Sequence, residues 1–156
     1  MTKKVAFLFP GQGSQAVGMG KDLYESCESA KQVFDTADEV LGKTITTMCF
    51  EGPEDALKQT VNTQPSIVTM SIAALEALKS QCDVTPAYVA GHSLGEYCAL
   101  VAANSMNYID AAKAVRKRGI YMQEEVPAGV GGMAAIMGLE STEIEKAIAD
   151  IPQVQV

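Results

Sequence analysis

Three features of the sequence predict an α/β fold with a parallel sheet. The short apolar run 5–9 is closed by Pro10 and Gly11, which is typical of a buried parallel strand. A second short run, 88–90, leads into a serine between two glycines and then into a helical segment. Between and after these runs, apolar residues recur at helical spacing.

Composition excludes several classes of function. The chain has 156 residues, a size typical of one domain, with 47% hydrophobic and 20% charged residues. Its net charge of −7 argues against nucleic-acid binding. One histidine and four scattered cysteines are too few, and wrongly spaced, for a typical zinc site, so no metal is expected. The scattered cysteines indicate the reduced thiols of a cytoplasmic protein, and no apolar run is long enough to span a membrane.

The glycine-rich loop 11–20 follows the first apolar run and contains G-x-G-x-x-A, part of a dinucleotide-binding fingerprint. That fingerprint also needs a second strand ending in an acid about 20 residues further on. Here the pattern over 29–41 is helical, which predicts that Asp35 and Asp38 lie on a helix. A dinucleotide-binding module is therefore only an alternative.

The segment before the second strand is mainly helical. Residues 44–50 are ambiguous, and a short helix is predicted from Pro53 to about Gln59. A longer helix is predicted over 66–79, with one apolar face formed by Ile67, Met70, Ala74 and Leu78. Gln64 stands at its entrance, where the sequence alone indicates an ordinary polar residue before a proline.

The glycine-flanked serine predicts a nucleophile elbow. Gly91-His92-Ser93-Leu94-Gly95 matches G-x-S-x-G in a strand, turn and helix context, which exposes the serine Oγ at the top of a sheet. Gly91 and Gly95 would lack side chains because strand and helix pass close to the turn. The Leu94 N–H, at the positive end of the following helix, would be one donor of an oxyanion hole.

A simpler interpretation of the same stretch is a helix cap. Ser93 and Glu96 fit S-x-x-E, a capping box that needs no chemistry. Capping does not explain Gly91, nor Gly95, which would weaken a helix by up to ~1 kcal/mol relative to alanine. The two interpretations are compatible, and both stay open here.

A helix is predicted from about Ala111 to Glu125, with Asp110 as its N-cap. Arg118 falls at the centre of its apolar stripe, which otherwise contains Ala111, Val115, Met122 and Val126. A buried arginine needs an anion. The alternatives are a structural ion pair with an acid such as Glu96, a stem that snorkels to solvent, or a carboxylate on a substrate.

The glycine-rich segment 128–132 is the best candidate for a domain boundary. After it we predict a strand at 133–138, a capped helix at 141–150 and the start of a strand at 153–156. A β-α-β unit interrupted in its second strand cannot close a sheet, so we expect an N-terminal piece of a longer protein.

Together, these motifs resemble the malonyl-CoA:acyl carrier protein transacylases of bacterial fatty-acid synthesis. The matching stretches occur in family order over the whole chain: 9–15 (FPGQGSQ), 63–65 (TQP), 91–97 (GHSLGEY), 118–119 (RG) and 122–127 (MQEEVP). The resemblance implies an α/β-hydrolase-like parallel sheet that carries the elbow serine, in a large subdomain covering 1–128. It also implies that 129–156 begins a small ferredoxin-like subdomain.

The resemblance also implies roles for individual residues. Ser93 would become acylated, and Arg118 would bind the free carboxylate of malonyl. The backbone N–H groups of Gln12 and Leu94 would form the oxyanion hole, and Gln64 would lie in the substrate pocket. Malonyl-CoA and acyl carrier protein are the implied substrates, no further cofactor is needed, and a monomer is expected.

Docking of an acidic carrier protein onto an acidic chain needs a local basic patch. We expect Lys113, Arg116 and Lys117 to form it on the outer side of the Arg118 helix. A solvated helix face with no binding role is the alternative.

One departure from the family pattern concerns the general base, which in the family is a histidine in the second half of the chain. The only histidine here is His92, whose position beside Ser93 at a sharp turn is poor for taking the Ser93 proton. We interpret His92 as a residue that supports the elbow and expect the chain alone to be catalytically incomplete. A serine esterase or thioesterase of the same fold, or a non-catalytic binding domain, are alternatives. Arg118 argues against an esterase for neutral esters, which needs no cation.

Overall fold

The computed structural model describes residues 4–42, 44–127 and 129–156, in two compact units that meet between Glu125 and Val126. The first unit contains, in chain order, β1 Ala6–Phe9, α1 Lys21–Ser26, α2 Glu28–Leu41, α3 Ile45–Glu51, α4 Glu54–Leu57, α5 Thr60–Gln81, β2 Tyr88–Gly91, α6 Gly95–Ala102 and α7 Tyr108–Glu125. The second contains α8 Ser141–Ile148. Within the described residues, no helix combines the length and apolar character needed to cross a membrane.

The two strands form a parallel pair, as predicted, in a register that runs from Ala6 beside Tyr88 to Phe9 beside Gly91. The expectation that β1 is buried is wrong, because Leu8 is 76% exposed and only Phe9 at its end is buried. Among the described residues, β1 has a neighbouring strand on one side only. Part of the apolar surface of β1 is therefore not covered by any described segment.

Helix α5 is the centre of the first unit and packs against α2 on one side and α7 on another. Residues 63–69 of α5 are all buried, whereas the sequence pattern predicted a single apolar face, and Leu78 of that face is exposed. The ambiguous segment 44–50 becomes α3 because Ile45 and Cys49 enter this core. Rings of Tyr24, Phe34 and Phe50 meet at centroid distances of 5.1 to 5.9 Å and close the core beside α2.

Two helices begin earlier than predicted, and both differences affect the site. α5 starts at Thr60, so Pro65 lies inside the helix and Gln64 is part of it. α7 starts at Tyr108, and its first turn is capped by Asn107, whose Oδ1 accepts the Asp110 N–H at 2.8 Å. The prediction of Asp110 as the N-cap is therefore wrong.

In the second unit the predicted helix is present as α8, without a side-chain hydrogen bond at its cap. The strands predicted at 133–138 and 153–156 are absent from the described residues. Met133 and Met137 are 98% and 91% exposed. A strand is stabilised by a hydrogen-bonded neighbour, and none of the described segments supplies one to these residues.

Candidate active site

The turn between β2 and α6 presents Ser93 at the end of the parallel pair. β2 ends at Gly91 and α6 begins at Gly95. Between them Ser93 has φ 54°, in the left-handed region that residues other than glycine rarely adopt. Strained backbone of this kind persists where the surrounding structure holds it, often at functional sites. The serine side chain is exposed.

The flanking glycines have the steric reason that the sequence suggested. A Cβ at Gly91 would lie 2.0 Å from the carbonyl of Gly95, and a Cβ at Gly95 would lie 2.5 Å from the Phe9 carbonyl oxygen. The N-cap position of α6 is Leu94, and no side chain caps it. The capping-box interpretation of Ser93 and Glu96 is therefore wrong.

Replacing Gly95 by alanine should disturb the turn, because the added Cβ meets rigid backbone of β1 and not a flexible side chain. Overpacking typically costs about 1–3 kcal/mol. We expect a lower melting temperature for Gly95→Ala in the full-length protein. Gly132→Ala is the matched control, since nothing lies within 4 Å of the Cβ it would gain. Equal melting temperatures for the two variants would contradict the close approach.

Arg118 bridges α5 and the elbow. Its Nη1 donates to Gln64 Oε1 at 2.6 Å, and its Nη2 donates to Ser93 Oγ at 3.0 Å. The ion pairs found among the described residues join Lys58 to Glu54 and Lys79 to Glu76. The interpretation of Arg118 as the partner of Glu96 is therefore wrong. Its charge meets two neutral side chains, one of which is the elbow serine.

Gln64 is fully buried, which contradicts its interpretation as an ordinary polar residue. Its Oε1 holds Arg118, while its Nε2 donates to Thr60 Oγ1 at 2.8 Å and lies 3.3 Å from the Met122 sulfur. Thr60 Oγ1 in turn donates to Gln12 Oε1 at 2.9 Å. A continuous chain of hydrogen bonds thus connects Ser93 to the loop after β1.

That loop and the elbow lie side by side. The His92 N–H donates to the Phe9 carbonyl at 3.0 Å, and a Cβ at Gly11 would lie 2.3 Å from His92 Nδ1, so the imidazole rests against the loop. Among the described residues, neither the Gln12 N–H nor the Leu94 N–H donates to a backbone carbonyl.

Among the described residues, the thiol nearest to Ser93 along the chain is Cys98. Cys98 follows on α6, but burial raises the pKa of its thiol to about 12, so it stays neutral and shielded. Cys27, on the junction of α1 and α2, has its pKa lowered to about 7, chiefly by a hydrogen bond with the Ser29 hydroxyl. Cys27 is therefore the thiol to control for in any acylation experiment.

The geometry disfavours the alternative of a dinucleotide site. Asp35 lies within α2 and not at a strand end, and its Oδ1 accepts a hydrogen bond from the Tyr24 hydroxyl at 2.9 Å. Among the described residues, no cluster of three or more His, Cys, Asp or Glu side chains could hold a metal ion. The candidate site with the most hydrogen-bonded polar side chains brought together is the one around Ser93, Arg118 and Gln64.

A family model described as "Acyl transferase domain" matches residues 6–156. The chain belongs to this acyl transferase family. Over 143 residues it is 52% identical to the malonyl CoA-acyl carrier protein transacylase of Bacillus subtilis (strain 168), covering 92% of this chain and 45% of that protein. It is 44% identical to the Escherichia coli (strain K12) protein of the same name, covering 97% and 49%.

Solved structures of malonyl transacylases are also similar to this chain. The malonyl CoA-acyl carrier protein transacylase of Coxiella burnetii superposes with a TM-score of 0.89 at 40% identity, over 99% of this chain and 49% of that one. A malonyl-transacylase in complex with a type II polyketide acyl carrier protein superposes at 0.88 and 39% identity, over 99% and 50%. The resemblance to malonyl transacylases is thus confirmed. The chain spans about half the length of the curated relatives it matches.

Proposed function

We propose that the protein to which this chain belongs is a malonyl-CoA:acyl carrier protein transacylase. The observation that carries the proposal is the direct hydrogen bond of 3.0 Å between the Arg118 guanidinium and the elbow serine Ser93. A fixed cation beside an acyl-accepting oxygen suits an acyl group that ends in a carboxylate. An enzyme for neutral acyl groups gains nothing from such a charge in its pocket.

In the proposed reaction, Ser93 Oγ attacks the thioester carbonyl of malonyl-CoA and coenzyme A leaves as the thiol. The phosphopantetheine thiol of acyl carrier protein then attacks the malonyl-serine ester, which regenerates Ser93. Two displacements at one pocket give ping-pong kinetics. The N–H groups of Gln12 and Leu94, which donate to no described backbone carbonyl, are proposed to hold the oxyanion in both steps.

Gln64 makes Arg118 selective in this proposal. Its carbonyl oxygen occupies the Nη1 side of the guanidinium at 2.6 Å and fixes the plane of the fork. The remaining donors then face the acyl group on Ser93, where they are able to bind both oxygens of the malonyl carboxylate. Binding malonyl would exchange the neutral hydroxyl acceptor of Ser93 for an anionic carboxylate acceptor.

The base that takes the Ser93 proton remains a prediction. Within the described residues, the hydrogen-bond partner of Ser93 Oγ is Arg118, and a guanidinium does not take up a proton near neutral pH. His92 is engaged with the loop at Gly11 and is proposed to support the elbow. A histidine from the half of the protein beyond residues 1–156, as the family resemblance implies, is proposed as the base.

The finer architecture is also part of the proposal. Residues 1–128 are assigned to a large subdomain with an α/β-hydrolase-like sheet, and 129–156 to the start of a ferredoxin-like subdomain. Structural similarity to about half of each of two solved transacylases, with TM-scores of 0.88 and 0.89, supports this assignment.

The direct test uses the full-length protein incubated with malonyl-CoA and analysed by intact mass. We expect a malonyl adduct that disappears when phosphopantetheinylated acyl carrier protein is added, with malonyl appearing on the carrier. Loss of the adduct to water at the same rate with or without carrier would instead favour the esterase alternative. Absence of any adduct would contradict the proposal.

The carrier is proposed to dock on a smaller basic patch than the sequence suggested. Lys113 and Lys117 of α7 are exposed, but Arg116 is half-buried and bonded to α5, so its inclusion was wrong. Charge reversal of Lys113 and Lys117 together should raise KM for the carrier and leave KM for malonyl-CoA unchanged. Lys21→Glu, on exposed α1, is the control. Equal effects on both substrates would contradict the patch.

A further inference from the structure

Pro65 leaves one backbone carbonyl of α5 without its helical partner. In an α-helix the carbonyl of residue i accepts the N–H of residue i+4. For Val61 that residue is Pro65, which has no N–H, although the helix continues through it from Thr60 to Gln81. Pro65 is buried and Val61 is half-buried, so this carbonyl is partly shielded from water and a protein donor would satisfy it.

Arg116 of α7 supplies the missing donor. Its Nη1 donates to the Val61 carbonyl at 2.9 Å and to Asn62 Oδ1 at 3.0 Å. Asn62 Nδ2 is held in turn by the Ala56 carbonyl at 3.0 Å, so the amide is oriented to accept. Arg116, which the sequence suggested to be part of a basic surface patch, therefore donates the hydrogen bond that Pro65 cannot supply to the Val61 carbonyl.

The backbone of α7 is brought close to the same turn by Gly119, one helical turn after Arg116. A Cβ on Gly119 would lie 2.9 Å from both the Thr60 carbonyl oxygen and the Val61 Cα. Any larger residue would push α7 away from α5 and lengthen the Arg116 hydrogen bonds. Gly119 and Arg116 thus fix the first turn of α5 by two separate contacts.

This turn carries the residues that orient the proposed carboxylate clamp. Gln64 Oε1 accepts a hydrogen bond from Arg118, and Thr60 Oγ1 accepts one from Gln64 Nε2. Thr60 Oγ1 also donates to Gln12 Oε1. A rotation of the turn would move both ends of this chain of hydrogen bonds. The direction of the Arg118 fork therefore depends on a backbone segment that Arg116 holds.

We propose that Arg116 is a positioning residue: by donating to the Val61 carbonyl that Pro65 leaves unpaired, it fixes the α5 turn that aims Arg118 at the acyl group. The kinetic consequence rests on the proposed malonyl transfer. The structural part does not, because the unpaired carbonyl exists whatever the reaction is. A test therefore needs one readout of each kind.

The kinetic readout is a double-mutant cycle in the full-length protein with Arg116→Ala, Pro65→Ala and both together. Pro65→Ala supplies the N–H that Val61 lacks, so it should make Arg116 partly dispensable. We expect Arg116→Ala to lower kcat/KM for malonyl-CoA about tenfold, with a smaller loss for acetyl-CoA, since modest misplacement of a binding group costs up to about 10²-fold. In the Pro65→Ala background the loss should shrink to about twofold.

Arg116→Lys should retain most of the malonyl preference, because an ammonium still reaches one carbonyl as a donor. Lys21→Ala is the control for removing a positive charge elsewhere. Equal losses from Arg116→Ala in both backgrounds would overturn the proposal, as would equal losses for malonyl and acetyl groups. No loss at all would overturn it as well.

The structural readout is amide hydrogen exchange over residues 60–64 of the same full-length variants. We expect faster exchange in Arg116→Ala and recovery when Pro65→Ala is added, with no change in Lys21→Ala. Unchanged exchange in Arg116→Ala would overturn the proposal even if the enzyme proves to catalyse another reaction. If wild type forms no malonyl-serine, the proposed function fails while the exchange experiment still decides the role of Arg116.

Discussion

Substitution of Ser93 by alanine in the full-length protein should abolish the covalent malonyl adduct. The oxygen that would form the ester is removed, while the backbone of the turn and the Leu94 N–H are kept. Turnover should fall by about 10⁴-fold or more, leaving the residual enhancement that binding and an oxyanion hole supply in serine enzymes. The measurement is intact mass after incubation with malonyl-CoA, together with the rate of malonyl transfer to the carrier.

Two controls make the Ser93 result specific. Ser105→Ala removes another exposed hydroxyl, just after α6, and should leave the adduct intact. Cys27→Ala removes the thiol whose pKa is lowered to about 7 and so excludes adventitious thioester formation at that residue. A malonyl adduct at full occupancy in the double variant Ser93→Ala/Cys27→Ala would mean that the nucleophile lies elsewhere.

Arg118→Ala should reduce malonyl transfer strongly and acetyl transfer little. The lost contact is a bidentate, charge-assisted one, and charged hydrogen bonds contribute roughly 1.5–3 kcal/mol, or about 10–150-fold in kcat/KM. Acetyl has no carboxylate, so its transfer should change little or rise once the cation is removed. The measurement is kcat/KM for malonyl-CoA and acetyl-CoA in each variant.

Arg118→Lys should restore malonyl transfer only in part, because a point charge lacks the planar fork and cannot keep both Gln64 and the carboxylate. Lys21→Ala controls for net charge. If Arg118→Ala lowers both substrates by one factor and also lowers the melting temperature by several degrees, Arg118 is a structural residue. Selectivity for malonyl would then need another explanation.

The elbow could be predicted from sequence because the residues of its motif are contiguous, although the backbone that excludes a Cβ from Gly95 belongs to the end of β1, far away in sequence. Gly91 and Gly95 lie beside Ser93 in the chain, and the clashes that exclude a Cβ from them arise within the strand-turn-helix unit and the adjoining end of β1. Arg118 was detectable for a different reason. A charged residue centred on an apolar helical stripe is costly, so the pattern alone indicated a partner, though not which one.

The partners themselves could not be predicted, because they are far apart in sequence. Arg118 meets Gln64 across 54 positions and Ser93 across 25. The burial of Gln64 depended on a helix that runs through Pro65, whereas proline normally predicts that a helix begins after it. The same proline was the one sequence signal for the role of Arg116, because a proline inside a helix leaves the carbonyl four residues earlier without its N–H partner.

The strand predictions in the second unit failed for a related reason. The run at 133–138 has the composition of a strand, but pairing depends on a neighbour that the sequence does not identify. In the described structure Met133 and Met137 are exposed and no strand forms there. The prediction of helix α8 was correct because the hydrogen bonds of a helix are made within the segment itself.

In the proposed reaction, Ser93 takes an acyl group and Arg118 selects the one with a carboxylate. The most direct test offers the full-length protein an equimolar mixture of malonyl-CoA and acetyl-CoA and measures both adducts by intact mass. Wild type should carry mainly malonyl on Ser93, and Arg118→Ala should carry mainly acetyl on the same residue. A ratio of malonyl to acetyl that is unchanged by Arg118→Ala would contradict the account.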